Sequence, residues 1–119
     1  MVGPQGYFSR RENQIIAANR ARPGIAHLQQ AVSSYQAGLK VTTPDHDFRN
    51  WLVNQRNLAR TEFELGSRES GVESLQQAAA AYREELKYLS PDRSPSEWKT
   101  ASDGLNNVLQ LLHQRGTSG

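Results

Sequence analysis

The 119-residue sequence contains no cysteine. It can therefore form neither a disulfide framework nor a thiolate metal site, as is usual in a reducing compartment. No apolar run approaches the roughly 20 residues of a membrane span. The opening MVGPQGYFSRR has no apolar stretch typical of a signal peptide. These absences predict a cytoplasmic protein without a membrane partner.

The chain also has little excess of positive over negative charge, since its net charge is only +2. Residues 1–44 carry five basic side chains against one acid, whereas residues 45–92 carry six against nine. This polarity suits head-to-tail contacts, but no dense stripe of lysine and arginine follows one face. Nucleic acid is therefore not expected as a partner.

Motifs for catalysis or for cofactor binding are missing as well. The sequence has no glycine-rich phosphate loop and no nucleophile elbow. His27, His46 and His113 are scattered, and none has a second ligand at the spacing that zinc sites use. The PDHD turn at 44–47 allows a weak cation site, but it is more simply a proline turn with Asp47 as the following helix N-cap. We expect no enzyme activity, no metal and no cofactor.

The most informative feature that is present is an internal repeat. HLQQAVSSYQAGLKVTTPD at 27–45 returns as SLQQAAAAYREELKYLSPD at 74–92, an offset of 47 residues that needs no gap. The same offset places Trp51 on Trp98 and Tyr35 on Tyr82. Two tryptophans at one phase are not a chance match, so the sequence contains a repeated structural unit in which these four aromatic residues are predicted to be structural.

Each unit has a helical period, because apolar residues recur at alternating steps of three and four. Pro44 and Pro91 end helices. Gly66 is interpreted as a left-handed C-cap, and Ser67 as the cap of the next helix. Short connections then require antiparallel hairpins. The sequence predicts an all-α chain with about five helices at 8–20, 24–41, 47–65, 68–89 and 95–115. It divides into a flexible arm (1–7), one repeat domain (8–115) and a flexible tail (116–119).

The repeat resembles the tetratricopeptide repeat family over residues 9–115. The matching features are an early aromatic residue, a leucine before a small residue, a glycine at the turn, a second-helix pattern of small, aromatic and leucine positions, and a final proline. They occur in order as Trp51, Leu58, Ala59, Gly66, Ala78, Tyr82, Leu86 and Pro91. The period departs from the usual 34 residues, since Gly66 and Ala78 lie twelve residues apart. The resemblance implies helical hairpins stacked as a right-handed solenoid.

The resemblance also implies a binding surface, because the first helix of each pair lines the concave side of such solenoids. A protein or peptide partner is expected there, and the basic side chains favour an acidic segment. Asp103 and Gly104 depart from the family's carboxylate-binding pattern, and a plain solvated helix face is the alternative interpretation. The expected concave-face residues are Val53, Arg56, Asn57, Arg60, Arg10, Asn13, Asp103 and Asn107.

The two ends of the predicted stack are unusually apolar for capping positions. They indicate either one piece of a longer array or a homo-oligomer that associates through its end helices. The candidate residues for self-association are Ile15, Ile16, Val108, Leu109, Leu111 and Leu112. A scaffold or adaptor module that binds a peptide or helix is the leading functional hypothesis, and a self-assembling structural unit is the alternative.

Overall fold

The computed structural model describes residues 23–116, and all regular secondary structure in this range is α-helical. The predicted first helix at 8–20, the 1–7 arm and residues 117–119 lie outside the described residues. None of the described helices is both long enough and apolar enough to cross a membrane. The four helices are α1 (Pro23–Val41), α2 (Phe48–Arg68), α3 (Glu73–Leu86) and α4 (Pro95–Gln114).

Consecutive helices pack against one another, and α2 also touches α4. Gly38 of α1 lies against Asn54 of α2, whereas Gly24 at the other end of α1 lies against Arg68. This reversed pairing shows that α1 and α2 are antiparallel, as the sequence predicts. Between α2 and α4 the direction is the same, because Glu97 lies near the start of α2 and Arg115 near its end.

The turn before α2 confirms the prediction made from the PDHD sequence. Asp47 is the N-cap of the helix, and its carboxylate accepts a hydrogen bond from the backbone amide of Asn50. The side chain of Asn50 donates a second bond to Asp47 Oδ2 at 2.9 Å. The carboxylate thus satisfies an amide that the first helical turn leaves without a partner.

The predicted end of α2 at Gly66 is wrong. The helix continues to Arg68, with Glu69 as its C-cap, and Gly116 is the one described residue with a positive φ, 84°. Gly66 is buried, and a Cβ built on it would lie 2.6 Å from Leu75 Cδ2. Glycine is needed there because α3 approaches closely, and the turn itself does not require a left-handed residue.

The start of α3 is consequently also misplaced by the sequence prediction. Ser67 does not cap it, because Ser67 lies inside α2 and its hydroxyl donates to the Glu64 carbonyl. The helix begins only at Glu73, after bends at 69–72, and it ends at Leu86. Arg115 stabilises this region from α4, since its guanidinium donates to the carbonyls of Gly66 at 2.8 Å and Gly71 at 2.6 Å.

The core lies where α2, α3 and α4 meet. The offset-related aromatic residues contribute to it unequally: Trp51 and Tyr82 are buried, Trp98 packs against the core while partly exposed, and Tyr35 is half-buried on α1. Small side chains on α3 allow the neighbouring helices to approach closely. The side chains at the centre of the core are Leu52, Ala59, Leu75, Ala78, Ala79, Ala101, Val108 and Leu112.

Candidate functional site

One side of α2 remains open to solvent between α1 and α4. Val53 is 40% exposed on it, and Asn57 and Arg60 follow at helical spacing on the same side. Asn57 and Arg60 also line a small depression of about 180 Å³ that reaches Tyr35 of α1. Within residues 23–116, Arg60 makes no hydrogen bond or ion pair. Its guanidinium is thus available to a partner on this surface, which we call the α2 face (Val53, Asn57 and Arg60).

The other predicted concave-face residues are distributed differently. Asp103 and Asn107 are exposed on α4, and Asp103 accepts a hydrogen bond from Lys99 at 2.9 Å. Among described side chains, neither bonds to a residue of the α2 face. Arg10 and Asn13 lie outside the described residues. The structure therefore places Val53, Asn57 and Arg60 together, while the contribution of the remaining positions stays a prediction.

Arg56 is already occupied inside the chain. Its Nη2 donates to Glu97 Oε2 at 3.1 Å, and its Nε lies 4.0 Å from Glu85 Oε1. Arg49 reaches the same Glu97 oxygen at 3.2 Å. Arg56 thereby joins α2 to both α3 and α4. A guanidinium engaged in this way is a structural tie between helices and is not free to bind an acidic partner.

Glu85 is the most deeply buried member of this ion-pair cluster, with 1% of its surface exposed. Burial raises its pKa to about 7, an effect that Arg56 opposes and Glu97 reinforces. Glu85 Oε2 and Arg56 Nε have no hydrogen-bond partner. The pair is therefore incompletely satisfied, and its two charges depend on each other.

Tyr82 lies beside this cluster and adds to its polarity. Burial raises the pKa of its hydroxyl, with Glu85 raising it further and Arg60 lowering it. Gly104 of α4 faces the Tyr82 ring so closely that a Cβ at this position would clash with it. Gly104 thus makes room for a core tyrosine.

Glu85 and Glu97 were not singled out by the sequence analysis. The signal for Glu85 was present, because it lies three residues after Tyr82 and four before Leu89, inside the buried stripe of α3. A charged residue in such a stripe requires a partner. Its pairing with Arg56 could not be predicted, since it depends on how the helices pack.

The candidate residues for self-association divide between core and surface. Val108 and Leu112 are fully buried within the chain, so they are not available to a second copy. Leu109 and Leu111 are partly buried on either side of them. Leu109 borders an open groove of about 580 Å³ along the outer side of α4. Ile15 and Ile16 lie outside the described residues.

Comparison with known proteins gives no assignment. No protein-family model matches the chain, and no curated protein or solved structure shows significant similarity to it.

Proposed function

We propose that the chain is a non-enzymatic, tetratricopeptide-like interaction module whose α2 face binds a polypeptide segment. The observation that carries the proposal is the contrast between two neighbouring arginines of α2. Arg56 is engaged by Glu97 and Glu85, whereas Arg60 has no partner within the described range and lies beside exposed Val53. A cation, an amide and an apolar side chain on one rigid helix suit a short acidic segment.

The internal repeat supports the same proposal. Antiparallel helix pairs with a 47-residue offset are the arrangement that solenoids use, and their first helices form the concave surface. In this proposal α2 and α4 are those first helices, and the hydrogen bond from Arg56 to Glu97 joins one to the other. In this proposal the right-handed solenoid of about five helices includes the segment at 8–20. We place the module in the cytoplasm, in keeping with its lack of cysteine.

A paired-variant binding experiment tests the α2 face. Proteins retained from a lysate by the full chain would be cross-linked and identified, and the affinity of the leading partner would be measured by calorimetry. We expect Asn57→Ala/Arg60→Ala to weaken binding at least about tenfold, because each lost contact to a charged group costs about 1.5–3 kcal/mol.

The control is Gln76→Ala/Lys87→Ala, which removes one amide and one positive charge from exposed positions on α3 and just after it. It should bind like the wild type. If both double variants bound the partner with the same affinity, the α2 face would not be the binding surface.

The groove beside Leu109 favours a second candidate function, self-assembly through the outer side of α4. Trp98, Leu105 and Leu109 share this side at helical spacing and are all partly exposed. Light scattering of the full chain at high micromolar concentration distinguishes the two functions. A dimer that Leu109→Asp converts to monomer would support assembly, whereas a monomeric wild type would exclude it under these conditions.

A further inference from the structure

A second surface lies on the side of α2 that faces away from Arg60. There, α1 and α3 flank a cleft of about 610 Å³, and the bend at 69–71 closes one end of it. Glu62 of α2 is two residues from Arg60, which turns its side chain about 200° around the helix. We call this cleft the acidic cleft; its lining comprises Gln36, Glu62, Glu73, Ser74, Gln77 and residues 69–71.

Glu62 contributes a buried carboxylate to the acidic cleft. The residue is only 5% exposed, although it lies in a wall of the cleft. No hydrogen bond or ion pair reaches it from residues 23–116. Glu69 does have a partner, because the Ser74 hydroxyl donates to it at 2.9 Å. Glu62 is therefore a nearly buried side chain without a partner among residues 23–116, and its carboxylate borders the cleft, since its oxygens are not among the fully buried atoms that lack a hydrogen bond.

The surroundings of Glu62 disfavour its charged form. Burial raises the pKa of Glu62 to about 7, and the nearby charges of Glu69 and Glu73 raise it further. No cationic side chain is among the residues that line the cleft. The described lining of the cleft thus carries acidic side chains and no cationic one.

The repeat shows that the fold itself does not require this carboxylate. The 47-residue offset places Glu62 in register with Leu109, so the matching helix α4 has an apolar residue at this position. Leu109, which lies on α4, packs against the hydrophobic core. Glu62 lies in the buried stripe of α2, between Ala59 and Leu65. A leucine would serve packing there, and the glutamate needs a different explanation.

The chemistry of the cleft indicates an organic cation. Within the described part of the chain, no three acidic or histidine side chains are arranged to hold a metal ion together. The carboxylates are instead spread along a cleft large enough for a side chain with its adjoining backbone. A guanidinium presents five donors in a planar fork, and it can bond to one carboxylate bidentately while a second is within reach.

We propose that the acidic cleft is a binding site for an arginine side chain of a partner polypeptide, with Glu62 as its principal acceptor. Glu69 and Glu73 add charge at the rim, and the amides of Gln36 and Gln77 offer further acceptors. This site is independent of the α2 face. The two sides of α2 then select opposite charges, acidic at Arg60 and basic at Glu62.

Two tripeptides that differ in one charge test the proposal. The full chain, labelled with ¹⁵N, would be titrated by NMR with acetyl-Gly-Arg-Gly-amide and with the same peptide containing citrulline, which has nearly the same shape but no charge. We expect saturable shifts at the amides of 69–71 and Gln77. The citrulline peptide should bind at least about tenfold more weakly, as expected for the loss of a charged hydrogen bond.

Glu62→Gln, which preserves the shape of the side chain, should weaken binding of the arginine peptide to the same extent. Glu64→Gln is the matched control, because Glu64 is exposed on the same helix and pairs with Arg68. Both variants should remain folded by circular dichroism. Binding to the wild type should be tighter at pH 8 than at pH 5.5, since protonation removes the charge of Glu62.

Several results would overturn the proposal. They are equal binding of the two peptides, wild-type affinity in Glu62→Gln, and shifts confined to Asn57 and Arg60. If calcium alone produced the same saturable shifts, the site would bind a metal and not arginine. A ¹³C titration in which Glu62 has an ordinary pKa would show that a cation of the chain itself already fills the cleft, which also contradicts the proposal.

Discussion

Glu62 and Glu85 are the two buried glutamates of the described chain, and they differ in what faces them. Both are at most 5% exposed, and burial raises the pKa of each to about 7. Glu85 is enclosed by protein and has the Arg56 guanidinium beside it. Glu62 borders an open cleft and has two other glutamates as its charged neighbours.

The difference distinguishes a charge that stabilises helix packing from a carboxylate that is available to an external ligand. Glu85, Arg56 and Glu97 bind three helices to one another, so removing one member leaves a charge without its partner. Among residues 23–116 Glu62 forms no ion pair that connects helices, and the position that matches it in α4 is Leu109. The same residue type therefore stabilises the packing of helices in one region and is available to an external ligand in the other.

Removing the cation from the Glu85 cluster should be the most destabilising of the substitutions. Arg56→Met retains most of the side-chain volume but leaves Glu85 buried without a counter-charge. We expect the free energy of unfolding at pH 8 to fall by about 2 kcal/mol, because Glu85, whose pKa is already about 7, takes up a proton once the cation is removed and so limits the cost of the broken pair. Urea denaturation followed by circular dichroism measures it.

Arg60→Met is the control for this change, because it removes the same charge four residues further along the exposed side of α2. Its effect should remain within about 0.5 kcal/mol. At pH 5 the loss in Arg56→Met should shrink, since Glu85 is then protonated in the folded chain. If the two variants were equally stable at pH 8, Arg56 would not be the tie inferred from the structure.

Most helix bounds could be predicted from the sequence, because they depend on local signals. α1, α2 and α4 begin within one residue of the predicted positions, guided by the apolar stripe and by the turn sequences. α3 begins five residues later than predicted, because Gly66 was interpreted as a cap. A glycine required for a close approach cannot be distinguished from a capping glycine unless the neighbouring helix is known.

The candidate sites divide in the same way. The resemblance grouped Arg56 with Asn57 and Arg60 on one expected surface, but in the structure Arg56 is engaged by Glu97 and Glu85. The acceptor of Arg56 is Glu97, 41 residues away, and their pairing depends on the parallel packing of α2 and α4. Glu62 carried a detectable signal, a charge within an apolar stripe. Its cleft is formed by three helices and could not be predicted from α2 alone.

The wild-type chain should lose stability as the pH rises from 5 to 8. The pKa of each buried glutamate is about 7 in the folded chain, against an ordinary value of 4.5. Between these values the folded state holds more protons than the unfolded state, so its stability decreases with rising pH. We expect a total loss of about 5 kcal/mol over this range, about 2.5 kcal/mol for each carboxyl group, measured by urea denaturation at several pH values. A stability that increased with pH would mean that both carboxylates are stabilised in their charged form.

Glu62→Leu isolates the share of this effect that belongs to the acidic cleft. The substitution introduces the apolar residue found at the matching position of α4, Leu109, and removes a carboxylate that is costly to ionise. We expect the free energy of unfolding to rise by about 2 kcal/mol at pH 8 and to change little at pH 5, where Glu62 is protonated. Urea denaturation at both pH values provides the measurement.

The comparison between the two glutamates depends on the sign of this change. Glu64→Leu, an exposed replacement on the same helix, should stay within about 0.5 kcal/mol at both pH values, so a gain confined to Glu62→Leu cannot come from added hydrophobicity alone. If Glu62→Leu were destabilising at pH 8, the Glu62 carboxylate would already have a cation beside it in the folded chain. Glu62 would then belong with Glu85 as a structural charge, and the acidic cleft would have no free acceptor for arginine.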